Sequence, residues 1–199
     1  FKRLKAIIAE AEMYKERYAE WLSKVDTEER KEMESFSEND IKERFSLELA
    51  FGTAGMRGEI GMGTFRMNKY AVRRASAGLA EYICSLGEEA KSRGVVISYD
   101  TRRLSREFAL NVAEVLSHYK VRSHIFEDVR PVPICSFAIR ELKAVAGVMI
   151  TASHNPKEYN GYKVYGEDGA QMSPEPTAEV VKYINKHQDY FSVPFTKIP

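Results

Sequence analysis

From Val95 onward, short runs of β-branched and apolar residues alternate with stretches of helical periodicity, and that alternation confines the chain to an α/β layer architecture. Val95 to Tyr99 reads as a strand, Ser105 caps a helix through Leu116, and Val121 to Phe126 reads as a second strand. Pro133 starts a short helix to about Leu142, and Val145 to Ile150 is a continuous apolar strand. Tyr162 to Tyr165 is a fourth strand, and Ser173-Pro174 opens the last helix. The spacer between Ile150 and Tyr162 is too short for a crossover helix, so that last strand is expected to run antiparallel. The predicted fold is a three-layer α/β/α sandwich with a mixed, mostly parallel sheet, preceded by a helical N-terminal extension.

The extension is legible from Leu4, where Ile7, Ile8, Ala11, Tyr14, Tyr18, Trp21 and Val25 recur at a helical period. Asp26 with Glu29, and Ser37 with Asp40, have the spacing of N-caps for two further short helices ending near Phe45. The Trp and Tyr stripe is read as core packing rather than a ligand box. After Phe51, Gly52, Gly55, Gly58, Gly61 and Gly63 mark a loop that feeds a helix from Asn68 to about Leu86. The expected division is a helical extension over 1–46, a domain over 47–190, and the start of a linker over 191–199. The chain begins without Met and stops at Ile198-Pro199 with no legible terminating element, so both ends are expected to be boundaries inside a longer protein.

The 30 Lys and Arg nearly cancel the 29 Asp and Glu, so no bulk field invites nucleic acid or an anionic membrane surface. A basic cluster at Arg102, Arg103 and Arg106 is read as a solvated helix start with one inward arginine. The two cysteines, Cys84 and Cys135, have no metal-ligand or disulfide spacing. A reducing cytoplasm is the expected compartment, and no apolar run approaches the roughly 20 residues of a membrane helix.

In open α/β sheets ligands sit off the carboxyl ends of strands, which directs attention to Thr151-Ala152-Ser153-His154-Asn155-Pro156 directly after the buried strand. A small residue before a serine, an amide after it and a proline at the exit make a stiff turn that projects one hydroxyl, that of Ser153. Such a serine is turn filler, a hydrolase nucleophile or a phosphoryl carrier. The hydrolase motif needs flanking glycines that are absent here. A phosphoryl carrier needs cations close by, because phosphoserine brings about −1.5 to −2 charge. Arg57 in GTAGMRG, Arg102 in DTR and Lys163 in NGYKV are candidates.

The segments GTAGMRG, DTRRLS, TASHNP and NGYKVYG, in that order, resemble the first domain of the α-D-phosphohexomutase superfamily, phosphoglucomutase branch, over about Leu47 to Lys186. The resemblance implies an intramolecular phosphotransferase, an isomerase of carbohydrate metabolism that moves phosphate between C1 and C6 of a hexose, glucose first, through a bisphosphorylated intermediate. Ser153 is then the carrier, Arg57 a phosphate contact, Lys163 a general acid and base, and His154 a catalytic or loop-orienting group. Neutral Lys163 would be favoured by burial beside Arg57 and opposed by the phosphate, so the direction stays open. Asn155 is expected to tie the turn through its amide, and Asp100 and Arg102 to brace the loop from behind. The resemblance also implies Mg²⁺, bound by phosphorylated Ser153 and by aspartates of a second domain, with glucose 1,6-bisphosphate as activator or intermediate. The remaining domains of the same chain are the implied partners, and the isolated chain is expected to be inactive. Mannose or pentose phosphates are alternative substrates, and a non-catalytic sugar-phosphate or anion-binding domain is the alternative of another class.

Overall fold

A computed structural model describes the backbone of residues 2–198, with side chains from Met13 to Ile198. Helix α1 (Lys2–Lys24) opens the chain, and α2 (Thr27–Glu34) and α3 (Glu38–Phe45) come after it. Both short helices begin in capping boxes, Asp26 with Glu29 and Ser37 with Asp40, each satisfying orphan N–H groups of a first turn. The burial of Leu4, Ile7, Ile8 and Ala11 lies outside the described residues. Further along α1, Trp21 is 2% exposed and meets Phe45, Tyr70, Tyr190 and Phe191 with ring centroids 5.2–5.7 Å apart. The three helices therefore share one core with the rest of the chain.

That remainder is β1 (Gly55–Glu59), α4 (Lys69–Ser85), α5 (Glu88–Arg93), β2 (Val95–Tyr99), α6 (Ser105–His118), β3 (Ser123–Ile125), α7 (Val132–Glu141), β4 (Ala146–Ile150), β5 (Tyr159–Gly166) and α8 (Pro174–Ile184). The sheet is mixed, in the order β1-β5-β4-β2-β3. Strand β2 pairs parallel with β3 and β4, whereas β4 with β5 and β5 with β1 are antiparallel. Strands β1, β2, β3 and β4 therefore point the same way and β5 alone runs against them, so the sheet is mixed and mostly parallel in strand direction, as expected, although the four pairings divide evenly. Helices α4, α6 and α8 pack together on one side, and α7 packs against β2 and β4 on the other, giving three layers.

Two local expectations are corrected and one helix is added. Strand β1 lies inside what reads as a glycine loop, and its five residues are recruited by pairing with β5 from Gly55↔Lys163 to Glu59↔Tyr159. Helix α5, between α4 and β2, is an element that the sequence reading did not cover. Ser105 does not cap α6: Leu104 occupies the N-cap with φ 61°, and the Ser105 hydroxyl donates to Asp100 Oδ1 at 2.9 Å. Beyond α8 the chain stays packed, with Val193 buried against Ala77 and Val115 and the Thr196 N–H donating to Glu114 O at 3.0 Å.

Candidate active site

Strand β4 is buried at every position, so the first residues free to serve chemistry are those of the β4–β5 connection. The Asn155 N–H donates to Ala152 O at 3.1 Å and closes a turn with Ser153 in its second position. Ser153 has φ 57° while His154 returns to negative φ, the pattern of a turn whose second residue is ordinarily glycine. The Ser153 N–H is held by Thr151 Oγ1 at 3.0 Å, and the Thr151 N–H by Gly161 O at 3.1 Å. Ser153 is exposed, and its hydroxyl has no hydrogen-bonding partner among the described residues.

The loop is held from beneath by Arg102. Its Nη2 donates to Ser153 O at 3.0 Å and Asn155 O at 2.7 Å, and its Nη1 to Pro156 O at 2.8 Å and Tyr159 O at 3.0 Å. A rigid guanidinium fork with five donors suits four converging carbonyls, as a lysine would not. Asp100 orients this arginine, with Oδ2 3.6 Å from Nε and Oδ1 accepting the Arg102 N–H at 3.0 Å. The same Oδ1 accepts the Ser105 hydroxyl, whose oxygen in turn accepts from Asn160 Nδ2 at 3.0 Å. Asn160, fully buried, also donates to Arg103 O and accepts the Gly161 N–H. Asp100, Arg102, Ser105 and Asn160 thus form one chain of bonds from the β2 end to β5.

Arg57 and Lys163 come to the site through sheet register. Arg57 stands opposite Gly161, and Lys163 is flanked by Gly55 and Met149. The two-residue period puts Arg57, Gly161 and Lys163 on the α7 side of the sheet, on its β5–β1 half, which α7 does not cover. Glycine is required twice there. A Cβ at Gly55 would stand 2.0 Å from Tyr162 O, and one at Gly161 2.6 Å from Thr151 O.

Asp100, Arg102, Ser153 and Asn155 line one open concavity with Arg103, Lys157 and Glu158. Arg57 and Lys163 line another with Gly52, Thr53 and Gln171. No hydrogen bond or ion pair joins the side chain of Arg57, Lys163 or His154 to Ser153 or to any other described residue. The structure therefore brings Ser153, Asn155, Asp100 and Arg102 into direct contact and leaves the side chains of the other three unpaired, with Arg57 and Lys163 in the other concavity. Asn155 ties the turn through its main chain, not its side-chain amide, whose Oδ1 is buried without a donor. Thr151, Ser105 and Asn160 are the supporting groups that sequence reasoning missed. Thr151 and Asn160 stand inside TASHNP and NGYKVYG, so their place in those segments was the available signal.

Among the described residues no three His, Cys, Asp or Glu side chains converge as a metal site, and Asp100 beside the loop is already bonded to Arg102 and Ser105. This chain by itself does not fit Mg²⁺. No described helix is long and apolar enough to cross a membrane.

Layers and loop together define an α/β domain that presents one unbonded serine hydroxyl on the connection after its central strand. A family model for "phosphoglucomutase/phosphomannomutase, alpha/beta/alpha domain I" matches residues 48–191, and the chain belongs to that family. It is 47% identical over 155 residues to a phosphoglucomutase of Staphylococcus epidermidis, covering 77% of this chain and 28% of that relative. It is 43% identical over 164 residues to a phosphoglucomutase of Staphylococcus aureus, covering 80% and 29%. The chain thus spans under a third of the length of these relatives. Among solved structures, a protein of Thermus thermophilus assigned as a phosphomannomutase superposes with TM-score 0.64 at 27% identity, over 76% of this chain and 33% of that one. A phosphoglucomutase/phosphomannomutase family protein of Burkholderia thailandensis shares the fold, with TM-score 0.57 at 22% identity, over 74% and 31%.

Proposed function

We propose that this chain is the phosphoserine-bearing domain of a phosphohexomutase that interconverts sugar 1-phosphate and 6-phosphate, glucose first, with Ser153 as the carrier. The observation that supports this best is the Ser153 turn: an unbonded hydroxyl held outward at positive φ by an arginine that spends its fork on the loop's own carbonyls. Leu104, Lys120 and Lys143 also take positive φ, and among these four Ser153 alone carries a hydroxyl.

In the forward half-reaction a sugar hydroxyl attacks the phosphorus, a new P–O bond to the sugar forms, and the Oγ–P bond to Ser153 breaks. The sugar hydroxyl proton passes to Lys163 as general base, and Ser153 Oγ recovers a proton. The second half reverses these roles at the other sugar oxygen. The transition state spreads charge over the phosphoryl oxygens, so positioning and cations do most of the catalysis. Arg57, exposed and unpaired, grips those oxygens, and His154 is the remaining unpaired group of the loop. Asp100 and Arg102 brace the loop and do not touch substrate. Mg²⁺ would neutralise phosphate charge; this chain would offer it the Ser153 phosphate, and its other ligands would come from the rest of the protein. A sugar bisphosphate, glucose 1,6-bisphosphate first, charges Ser153, and the cytoplasm is the compartment.

Full-length protein carrying Ser153→Ala should lose the phosphorylated resting state and nearly all turnover; normal activity would refute the assignment. Lys163→Met should slow transfer by about 10² to 10⁴-fold with the fold intact. The 199-residue chain alone should show no mutase turnover.

A further inference from the structure

The four carbonyls gathered by Arg102 fix more than the loop's path. Every peptide bond described is trans, and in a trans peptide the N–H points opposite to the preceding C=O. Ser153 O and Pro156 O both point at the guanidinium, at 3.0 and 2.8 Å, so the N–H groups of His154 and Lys157 point away from it. Neither N–H finds an acceptor among the described residues. The other two carbonyls free no donor. Asn155 O is followed by Pro156, which has no N–H, and Tyr159 O by Asn160, which lies in the ladder opposite Gly58. The side chains of His154 and Lys157 are exposed and equally without partners.

We propose that Arg102 is a positioning residue that turns the Ser153 loop into an anion cradle, in which the main-chain N–H groups of His154 and Lys157 grip the oxygens of a dianionic phosphoryl group. The proposal rests on Ser153 as the carrier and adds how the chain holds the group without a metal. Outward N–H groups in a turn act as fixed partial positive charges that need no reorganisation when the anion arrives. The Lys157 ammonium adds a mobile charge beside them. Arg102 contributes through the backbone it orients, which explains why a cation next to the carrier serine keeps none of its charge-assisted bonds for a ligand.

The test uses full-length protein carrying Ser153→Ala, labelled with ¹⁵N-histidine and ¹⁵N-lysine, and inorganic phosphate as the probe. Phosphate should shift the His154 and Lys157 amide resonances downfield along one saturable curve. Adding Arg102→Lys, which keeps the charge but cannot reach four carbonyls, should weaken that response about tenfold or more. Loop amides that stay still while phosphate shifts only resonances near Lys163 would overturn the proposal, and they can do so without any Arg102 variant. In wild-type protein, intact mass after reaction with a sugar bisphosphate reports the carrier role separately. A phosphorylated Ser153 with unmoved loop amides overturns the cradle; moved amides with no phosphorylation overturn the carrier role and sustain the cradle.

Discussion

Replacing Ser153 with glycine should make the chain more stable while abolishing its chemistry. Ser153 sits at φ 57°, where a Cβ crowds the backbone at a cost of roughly 1–2 kcal/mol. Its side chain is exposed and its hydroxyl unbonded, so truncation forfeits no native contact. Glycine relieves the strain but gives the unfolded chain freedom worth about 0.4–1 kcal/mol, leaving a net gain of about 0.5–1 kcal/mol. For a domain of this length that is a rise of about 2 °C in melting temperature. Ser153→Ala keeps its Cβ and should melt within about 0.5 kcal/mol of wild type. Urea unfolding of the three proteins side by side measures the difference. A glycine variant less stable than the alanine variant would show that the positive φ is not strained, and the inference from turn geometry to function would fall with it.

Asn160→Ala removes a fully buried amide that serves Ser105, Arg103 and Gly161, and should cost about 2–3 kcal/mol in urea unfolding and loosen the Ser153 loop in hydrogen exchange. Trp21→Ala empties the junction of α1 with Tyr70, Tyr190 and Phe191; a loss of about 3–5 kcal/mol is expected, with the whole domain melting in one transition. A separate early melt of α1 would contradict a shared core. Burial raises the Cys135 thiol from 9.0 to about 12. Its folded value lies above its unfolded one, so the associated stability is complete below about pH 9 and declines as pH rises toward 12. At pH 8 a thiol reagent should modify half-buried Cys84 first and reach Cys135 only on unfolding.

The elements legible in the sequence were those whose stabilisation is local. Val95–Tyr99 is a strand wherever it is buried, and Asp26 with Glu29 caps a helix through bonds that span three residues. Strand β1 was illegible because Gly-Met-Arg-Gly-Glu has almost no strand propensity; its conformation comes from a partner strand about a hundred residues away. Ser105 misled because a capping serine oxygen accepts the N–H groups of a first turn, whereas here that oxygen accepts from Asn160 Nδ2 and the hydroxyl donates to Asp100 Oδ1. At the site, Ser153 and the arginines could be picked out because side chains are what a sequence displays. The bonds that Arg102 makes run to main-chain carbonyls, which every residue possesses, so no residue type marks them in advance.

Two kinds of cation belong to the candidate site. Arg102 is mostly buried, and its guanidinium makes four bonds to carbonyls of the chain, so it has little left for a ligand. Arg57, Lys157 and Lys163 have no bonded partner among the described residues. An exposed unpaired cation costs nothing in water and by itself signals nothing. These three reach the carboxyl end of β4 by separate routes: Arg57 across the β1–β5 register, Lys163 from β5, and Lys157 from the loop. An arriving dianion would meet charge already in place and a loop that need not move. The uncovered β5–β1 half of the sheet fits the same logic, because a helix there would bury Arg57 and Lys163 and force them to find partners within the chain.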